Sequence, residues 1–308
     1  MKQLAMMLLG VLLLAACGER GLDGAGNHGM YYWRTTLRLD SAERRFLARH
    51  DVRRLYMRYF DVVPDGRGGA MPNATISLDD SLPRGVEPVP VVFIVNDVMR
   101  HNVDSLPRLI LRRVRQMNET HDVRGMRELQ VDCDWTTTTQ ARYFDFLRRL
   151  RELCRAEGLR LTATIRLHQL MLAVPPADGG VLMVYNTGDV TRLEVEKPIL
   201  DIKDVRLYLR HLPHYRLPLA AAYPLFTWQV LFRRGRFVGI MHGKDDLPVL
   251  QGDSIAVRKP ELRDILDVRR AIEEVRPDIH GEVILYDLST KNIQRFNPND
   301  YETIFHGD

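Results

Sequence analysis

The sequence lacks most of the residue patterns that mark a metal, nucleotide or nucleic-acid site. Its 308 residues include only three cysteines, and no group of Cys and His has the spacing of a metal site. No glycine-rich phosphate loop follows the first predicted strand, and no block of Lys and Arg is interleaved with aromatic residues. We therefore expect no metal, no cofactor and no nucleic-acid partner.

The composition is that of a globular protein with a mild basic excess. Hydrophobic residues make up 45% of the chain, and 44 basic against 40 acidic residues give a formal net charge of +4. This length and composition can form one large hydrophobic core, in one barrel-sized domain or two smaller ones. The basic excess is spread over the chain, so it identifies no class of partner.

The first 29 residues form a separate region. An apolar run at 4–14 is too short to span a membrane as a mature helix, and two alanines and Cys17 follow it. Residues 14–17 resemble the lipobox of bacterial lipoproteins, which implies cleavage before Cys17 and a diacylglycerol on its sulfur. Gly18 then implies sorting to the outer membrane of a Gram-negative bacterium. A plain secretory signal with a chance cysteine is the alternative.

We therefore predict a signal peptide at 1–16, a lipidated cysteine with a flexible Gly-rich tether at 17–29, and a single barrel-like domain at 30–308. That domain retains only Cys133 and Cys154. They could form one disulfide in an oxidising compartment, but we expect two buried, unpaired thiols.

From residue 30 onward, short apolar segments alternate with amphipathic helical segments. Helices are predicted at 41–50, 106–118, 138–157, 205–212 and 260–275. Eight strands alternating with helices predict a (β/α)8 TIM-type barrel, with a doubly wound open sheet as the alternative. A β-hairpin at 228–241 is predicted after the seventh strand. The predicted barrel strands are 31–37, 52–62, 89–96, 128–134, 160–168, 181–186, 217–223 and 282–287.

Charged residues share one face of several predicted strands. Asp132 and Asp134 alternate with apolar residues in the fourth strand, Arg166 and His168 do so in the fifth, and Arg58 does so in the second. We expect these side chains to point toward the barrel axis near the C-terminal strand ends, where barrel enzymes have their active sites. The alternative is a self-satisfied salt-bridge network that closes the barrel.

Aromatic and polar residues at the ends of the same strands predict a glycan site. Aromatic faces stack on sugar rings, while polar groups bond the hydroxyls; core packing is the alternative for each aromatic residue taken alone. The predicted substrate-binding residues are Trp33, Arg58, Asp61, Asn96, Arg166, Tyr185, Asn186, Tyr223, Trp228 and Asp287.

Asp132 and Asp134 are the predicted catalytic pair. Two carboxyl groups can share the roles needed to cleave a glycosidic bond, one as the acid and the other as the base or nucleophile. Residues two apart on a strand are about 6.5–7 Å apart along the chain. This spacing is compatible with a retaining or an inverting glycosidase. His168 is a second candidate proton carrier.

The segment LQVDCDWT at 129–136 resembles the fourth-strand motif of chitinase-like barrels, Asp-x-x-Asp-x-Asp-x-Glu. Asp132 and Asp134 match its second and third acids. In that family the final Glu is the acid, and the Asp before it assists the N-acetyl group of the substrate. Leu129 and Thr136 replace the first Asp and the acid Glu, so the resemblance supplies no proton donor.

A closer resemblance is to a family of bacterial envelope lipoproteins with glycoside-hydrolase-like barrels. The segments that carry it are YYWRTT, LYMRYFDV, VVFIVND, LQVDCDWT, LTATIRLHQ and LMVYNTGD, which cover most of the strands between residues 30 and 290. This resemblance implies a barrel and a glycan-related role, without an assigned activity. Three hypotheses follow: a glycan hydrolase, a non-catalytic glycan-binding lipoprotein, and an envelope-assembly protein whose strand ends are plugged by its own side chains.

Overall fold

The computed structural model describes residues 27–241 and 246–307, and in this part of the chain eight parallel strands close into a barrel. In chain order the strands are β1 Asn27–Tyr32, β2 Thr36–Leu37, β3 Val52–Pro64, β4 Ala70–Asn73, β5 Ser77–Leu78, β6 Glu87–Ile94, β7 Glu128–Asp132, β8 Arg160–Arg166, β9 Gly179–Met183, β10 Leu219–Pro224, β11 Trp228–Arg233, β12 Arg236–Met241, β13 Asp253–Arg258 and β14 Glu282–Tyr286. The barrel strands are β1, β3, β6, β7, β8, β9, β10 and β14, and β1 pairs with both β14 and β3, which closes the ring. The predicted (β/α)8 fold is confirmed.

Helices cover the outside of the barrel. In the long helix that follows β6, apolar residues recur at helical spacing and are buried, including Ile110, Val114 and Met117. In the described chain none of the helices is both long enough and apolar enough to span a bilayer. The helices are α1 Ser41–Arg49, α2 Leu106–Thr120, α3 Gln140–Ala156, α4 Ile202–Leu209, α5 Leu262–Val275, α6 Thr290–Ile293 and α7 Pro298–His306.

The alternation predicted for the fourth strand is present in β7, which is buried on both faces. Gln130 faces the barrel interior, where its Oε1 accepts a 2.6 Å hydrogen bond from the Tyr31 hydroxyl. Leu129 and Val131 belong to the hydrophobic core. Cys133 and Cys154 are buried and unpaired, as predicted.

A buried polar cluster fills the N-terminal end of the barrel. Arg54 donates to Glu128 Oε2 at 2.8 Å and to Glu282 Oε2 at 2.7 Å. The Tyr56 hydroxyl donates to the other oxygen of Glu282 at 2.8 Å, and Thr162 donates to the other oxygen of Glu128 at 2.7 Å. We call Arg54, Tyr56, Glu128, Thr162 and Glu282 the N-terminal cluster. Both carboxylates have partners on each oxygen, which offsets the cost of burying their charge.

The insertion after the seventh barrel strand is larger than the predicted hairpin. β11 and β12 form the hairpin, and β13 adds a third antiparallel strand along the other edge of β11. Arg233 and Asp253 link β11 to β13 through an ion pair of 3.0 Å. The third strand was missed because 246–258 has no strong pattern of alternating apolar residues.

Several strand ends differ from the predictions. β1 starts at Asn27, so His28 and Gly29, which were assigned to the tether, are in the barrel wall. A Cβ atom on Gly29 would lie 3.0 Å from Ile284 Cγ1, so the close packing of β1 against β14 favours glycine. β7 ends at Asp132 and β8 at Arg166, which leaves Asp134 and His168 beyond the strands. The predicted signal peptide and Cys17 lie outside the described residues.

Candidate functional site

A cleft of about 640 Å³ opens at the C-terminal ends of the barrel strands. This is the end of a parallel barrel where strands deliver side chains to a common site. An assembly protein with plugged strand ends would have no such opening, so the structure does not support that hypothesis. The cleft is lined by Trp33, Arg34, Phe93, Asp132, Arg166, Tyr185, Asn186, Phe226, Thr227, Trp228, Met241, Tyr286, Asp287, Ser289, Lys291 and Asn292.

Arg166 joins both predicted catalytic carboxylates at the base of the cleft. Its Nη2 donates to Asp132 Oδ1 at 3.0 Å, and its Nε donates to Asp134 Oδ1. Thr164, also on β8, donates to Asp132 Oδ1 at 2.6 Å. We call Asp132, Asp134, Thr164 and Arg166 the C-terminal cluster. Its two carboxylates differ in exposure, since the Asp132 side chain is 4% exposed and the Asp134 side chain 56%.

Burial raises the pKa of the Asp132 carboxyl, although Arg166 and Thr164 favour its ionised form. Asp134 instead follows the end of β7 and reaches solvent. The two carboxylates predicted as an equivalent pair therefore occupy different environments. Asp132 lines the cleft, whereas Asp134 is connected to it through Arg166.

Asp287 supplies a second carboxyl group to the cleft. It directly follows β14, and its Oδ1 accepts a 2.5 Å hydrogen bond from Asn292 Nδ2. Burial raises the pKa of Asp287 to about 6, and Arg34 and Asn292 oppose this shift. This carboxyl group is therefore partly protonated near pH 6.

Aromatic rings form a continuous surface along the cleft. Tyr286 lies 5.5 Å from Trp33 and 5.2 Å from Tyr185, measured between ring centroids. Phe226 extends this surface to Trp228, at 5.2 Å, on the first strand of the inserted sheet. Such a surface offers ring faces to the CH faces of a ligand, beside carboxylate and guanidinium groups that bond hydroxyls.

Two predicted residues support this surface from the side. Arg58 Nε donates to Asp61 Oδ1 at 2.7 Å, so these residues pair with each other rather than with Asp132 or Asp134. The Arg58 guanidinium lies 5.5 Å from the Trp33 ring centroid, within the range of a cation–π contact. The pair lies beside the cleft and holds Trp33 in place.

Three other predicted residues lie away from the cleft lining. The Tyr223 hydroxyl contacts His280 Nε2 at 2.7 Å, toward the helix layer, because Tyr223 is on the outward face of β10. His168 is exposed in a 3-10 turn after β8 instead of facing the barrel axis. Asn96 begins a 3-10 turn after β6, and its Oδ1 accepts a 2.7 Å hydrogen bond from Thr139 that ties this turn to the start of α3.

The loops that follow the barrel strands contribute cleft residues that the sequence predictions missed. Ser289, Lys291 and Asn292 come from the segment after β14, which folds into the short helix α6. Arg34 follows β1 and forms two 2.8 Å contacts with Glu43 on α1. The polar run Ser-Thr-Lys-Asn directly after the eighth strand was the available signal. Among the described residues no group of three or more His, Cys, Asp or Glu could hold a metal ion.

No family model and no curated protein matches this sequence. Solved structures with the same fold include a chitinase from Chromobacterium violaceum, with 12% identity and a TM-score of 0.61 over 92% of this chain and 99% of that chain. The spore cortex-lytic enzyme SleL of Bacillus cereus has 14% identity and a TM-score of 0.58, over 92% of this chain and 74% of that one.

A third similar structure is a chitinase-like agglutinin from Robinia pseudoacacia, with 11% identity and a TM-score of 0.57. It covers 90% of this chain and 99% of its own. At these identities the similarity establishes the fold. The chain thus has the same TIM-barrel fold as these structures.

Proposed function

We propose that this protein binds a glycan in the cleft at the C-terminal end of its barrel. The observation that carries the proposal is the aromatic surface of Trp33, Tyr286, Tyr185, Phe226 and Trp228, which lines an open cleft beside Asp132 and Arg166. The agglutinin and the chitinases give further support, because their names associate the same fold with carbohydrate recognition. A polysaccharide strand with exposed sugar faces fits such a cleft.

The state of the fourth-strand acids favours binding over the hydrolysis known from chitinase-like barrels. Thr136 replaces the acid Glu, is exposed, and its hydroxyl lies 2.9 Å from the Thr138 hydroxyl. Arg166 binds both Asp132 and Asp134, so these two acids are held in an ion-pair network within the protein. Glycan hydrolysis is the second candidate function, favoured by the presence of the second carboxyl group, Asp287, in the same cleft.

The test is a calorimetric titration of the purified protein with chitin-type oligosaccharides, peptidoglycan fragments and neutral glucans, with reducing ends assayed in parallel. We expect saturable binding of at least one N-acetylated glycan. Trp228→Ala should weaken that binding at least tenfold, while Leu207→Ala, on the exposed face of α4, should leave it unchanged. No binding to any member of the panel would contradict the proposal.

We further propose that the protein acts in the cell envelope as a lipoprotein anchored through Cys17. This proposal is supported by the lipobox-like sequence at 14–17. Cys17→Ser should abolish labelling by a fatty-acid probe and move the protein out of the membrane fraction. Labelling that survives this substitution would contradict lipidation at Cys17 but would leave the glycan site untouched.

A further inference from the structure

We infer that Asp287 is the proton donor for cleavage of a glycosidic bond in the cleft, an inference that rests on the proposed glycan binding. The fourth strand lacks the acid Glu of chitinase-like barrels, so a hydrolase on this scaffold needs a proton from another strand. Asp287 follows the eighth barrel strand and lines the cleft together with Asp132 from the fourth. Tyr286, the residue before Asp287 in the chain, also lines the cleft.

The position of Asp287 is fixed by Asn292. Asn292 Nδ2 donates to the carboxyl Oδ1 of Asp287 at 2.5 Å and to its main-chain oxygen at 3.2 Å. The Asn292 side chain is buried, and α6 begins with a Ser289 side-chain cap three residues earlier. A residue whose carboxyl group and main-chain oxygen are both bonded by one buried amide is pre-organised, as a proton donor needs to be.

The charged groups around Asp287 allow it to keep a proton. Arg34 is the cation that most opposes the raised pKa of Asp287, but Glu43, which is fully buried on α1, binds it through both carboxylate oxygens at 2.8 Å. Glu43 also accepts a 3.2 Å hydrogen bond from Thr290 N, which places its negative charge under the loop of Asp287. The charge of Arg34 is thus largely balanced, and Lys291, on the same loop, is exposed to solvent.

The two carboxyl groups of the cleft have different bonding partners. Asp132 is bonded to the Arg166 guanidinium, whereas Asp287 is bonded to a neutral amide. Burial raises the pKa of Asp287 to about 6. One carboxyl group paired with a cation and a second bonded to a neutral group form an arrangement that can divide the charge-stabilising and acid roles.

In the proposed step, the bond between C1 and the glycosidic oxygen breaks as Asp287 gives its proton to the departing oxygen. The positive charge that develops at C1 and the ring oxygen is stabilised by the carboxylate of Asp132, which Arg166 binds. Water then adds its oxygen to C1, and the proton that it loses passes to the Asp287 carboxylate. One water molecule is consumed, two sugar ends are formed, and Asp287 returns to its protonated form.

The experiment compares two probes that differ in their need for a proton: chitotetraose and 2,4-dinitrophenyl chitobioside, whose leaving group departs without one. We expect Asp287→Asn to lower kcat on chitotetraose by about 100-fold or more, and on the dinitrophenyl glycoside by less than about tenfold. In the unsubstituted protein, kcat on chitotetraose should fall as pH rises through about 6, and this limb should be absent in the variant. Leu207→Ala should match the unsubstituted protein on both probes.

Equal losses on the two probes, or a pH limb that survives Asp287→Asn, would overturn the assignment. Tryptophan fluorescence of the same samples reports binding independently. If chitotetraose binds and is not cleaved, Asp287 is not a proton donor and the protein is a glycan-binding protein. If chitotetraose does not bind, the assumption that this glycan occupies the cleft is wrong, and the proton-donor proposal fails with it. The wider glycan panel then tests the glycan-binding proposal separately.

Discussion

The two ends of the barrel each have an arginine that bridges two carboxylates, but the carboxylates differ in their exposure. In the N-terminal cluster, Arg54 joins Glu128 and Glu282, whose side chains are 2% and 5% exposed. Tyr56 and Thr162 bond the remaining carboxylate oxygens. All four carboxylate oxygens of Glu128 and Glu282 are thus bonded within the protein, so this cluster closes the barrel with its own side chains.

The C-terminal cluster uses the same chemistry with a different outcome. Arg166 joins Asp132, which is buried, to Asp134, which is 56% exposed, and a cleft of about 640 Å³ lies above them. Similar residue types on neighbouring strands are therefore structural at one end and available to a ligand at the other. The two ends differ in the exposure of their carboxylates and in the aromatic rings beside them, whereas their ion pairs are of the same kind.

The largest effect on stability is expected from a substitution in the N-terminal cluster. Arg54→Met should lower the free energy of unfolding by about 3–5 kcal/mol, because the buried Glu282 would lose its cation and the buried Glu128 would keep only Arg160, at 3.6 Å. Urea unfolding at pH 7 measures this change. The matched control is Arg53→Met, on the adjacent exposed residue, which should change stability by less than about 0.5 kcal/mol. Equal effects of the two substitutions would contradict a structural role for the N-terminal cluster.

A smaller effect on stability is expected from substitution of the corresponding arginine in the C-terminal cluster. Arg166→Met should lower the free energy of unfolding by about 1–3 kcal/mol at pH 7, because only Asp132 would be left buried without a cation. The loss should shrink as pH falls, because a protonated Asp132 no longer needs a cation. A loss as large as that of Arg54→Met would mean that both clusters are equally structural.

The pH dependence of stability tests the environment of Asp287. Its pKa is raised to about 6 in the folded protein, above its ordinary value, so ionisation is disfavoured by folding. Stability should therefore fall as pH rises from about 4 to about 6 and stay level above that range. Relative to the unsubstituted protein, Asp287→Asn should gain on the order of 2 kcal/mol between pH 4 and pH 7. Parallel pH profiles for the two proteins would show that Asp287 has an ordinary pKa.

The smallest effect is expected for the exposed acid of the C-terminal cluster. Asp134→Asn should change the free energy of unfolding by less than about 0.5 kcal/mol, because an exposed ion pair contributes little. Thermal unfolding at low and high salt measures this difference. A loss above about 1.5 kcal/mol would show that Asp134 belongs to the buried part of the cluster.

The sequence predicts those parts of the fold and site that follow from alternation within strands. Asp132 and Arg166 lie on the interior face of the barrel, as the period of two in β7 and β8 indicates. Prediction failed where strands stop early, because the backbone of His168 turns into a 3-10 helix and alternation no longer applies. Tyr223 was assigned by its place at a strand end, although its outward face directs it to His280.

Tertiary contacts between distant segments were not predictable from strand patterns. The N-terminal cluster combines Arg54 with Glu128 and Glu282, which are the first residues of β7 and β14 and more than 70 residues away in the sequence. Asn292 was missed because it approaches Asp287 only after α6 folds back toward the strand end. Whether these residues bind or cleave a glycan depends on chemistry that the fold alone does not specify.

The most direct test of the proposed glycan site uses the tryptophans as reporters. The chain has three, of which Trp33 and Trp228 line the cleft and Trp135 is fully buried elsewhere. Titration with N-acetylated oligosaccharides should change the tryptophan emission to saturation, and a protein with both Trp33→Phe and Trp228→Phe should lose this change. An emission change that persists in the double variant would place the ligand outside the cleft, and no change with any oligosaccharide would contradict glycan binding at this site.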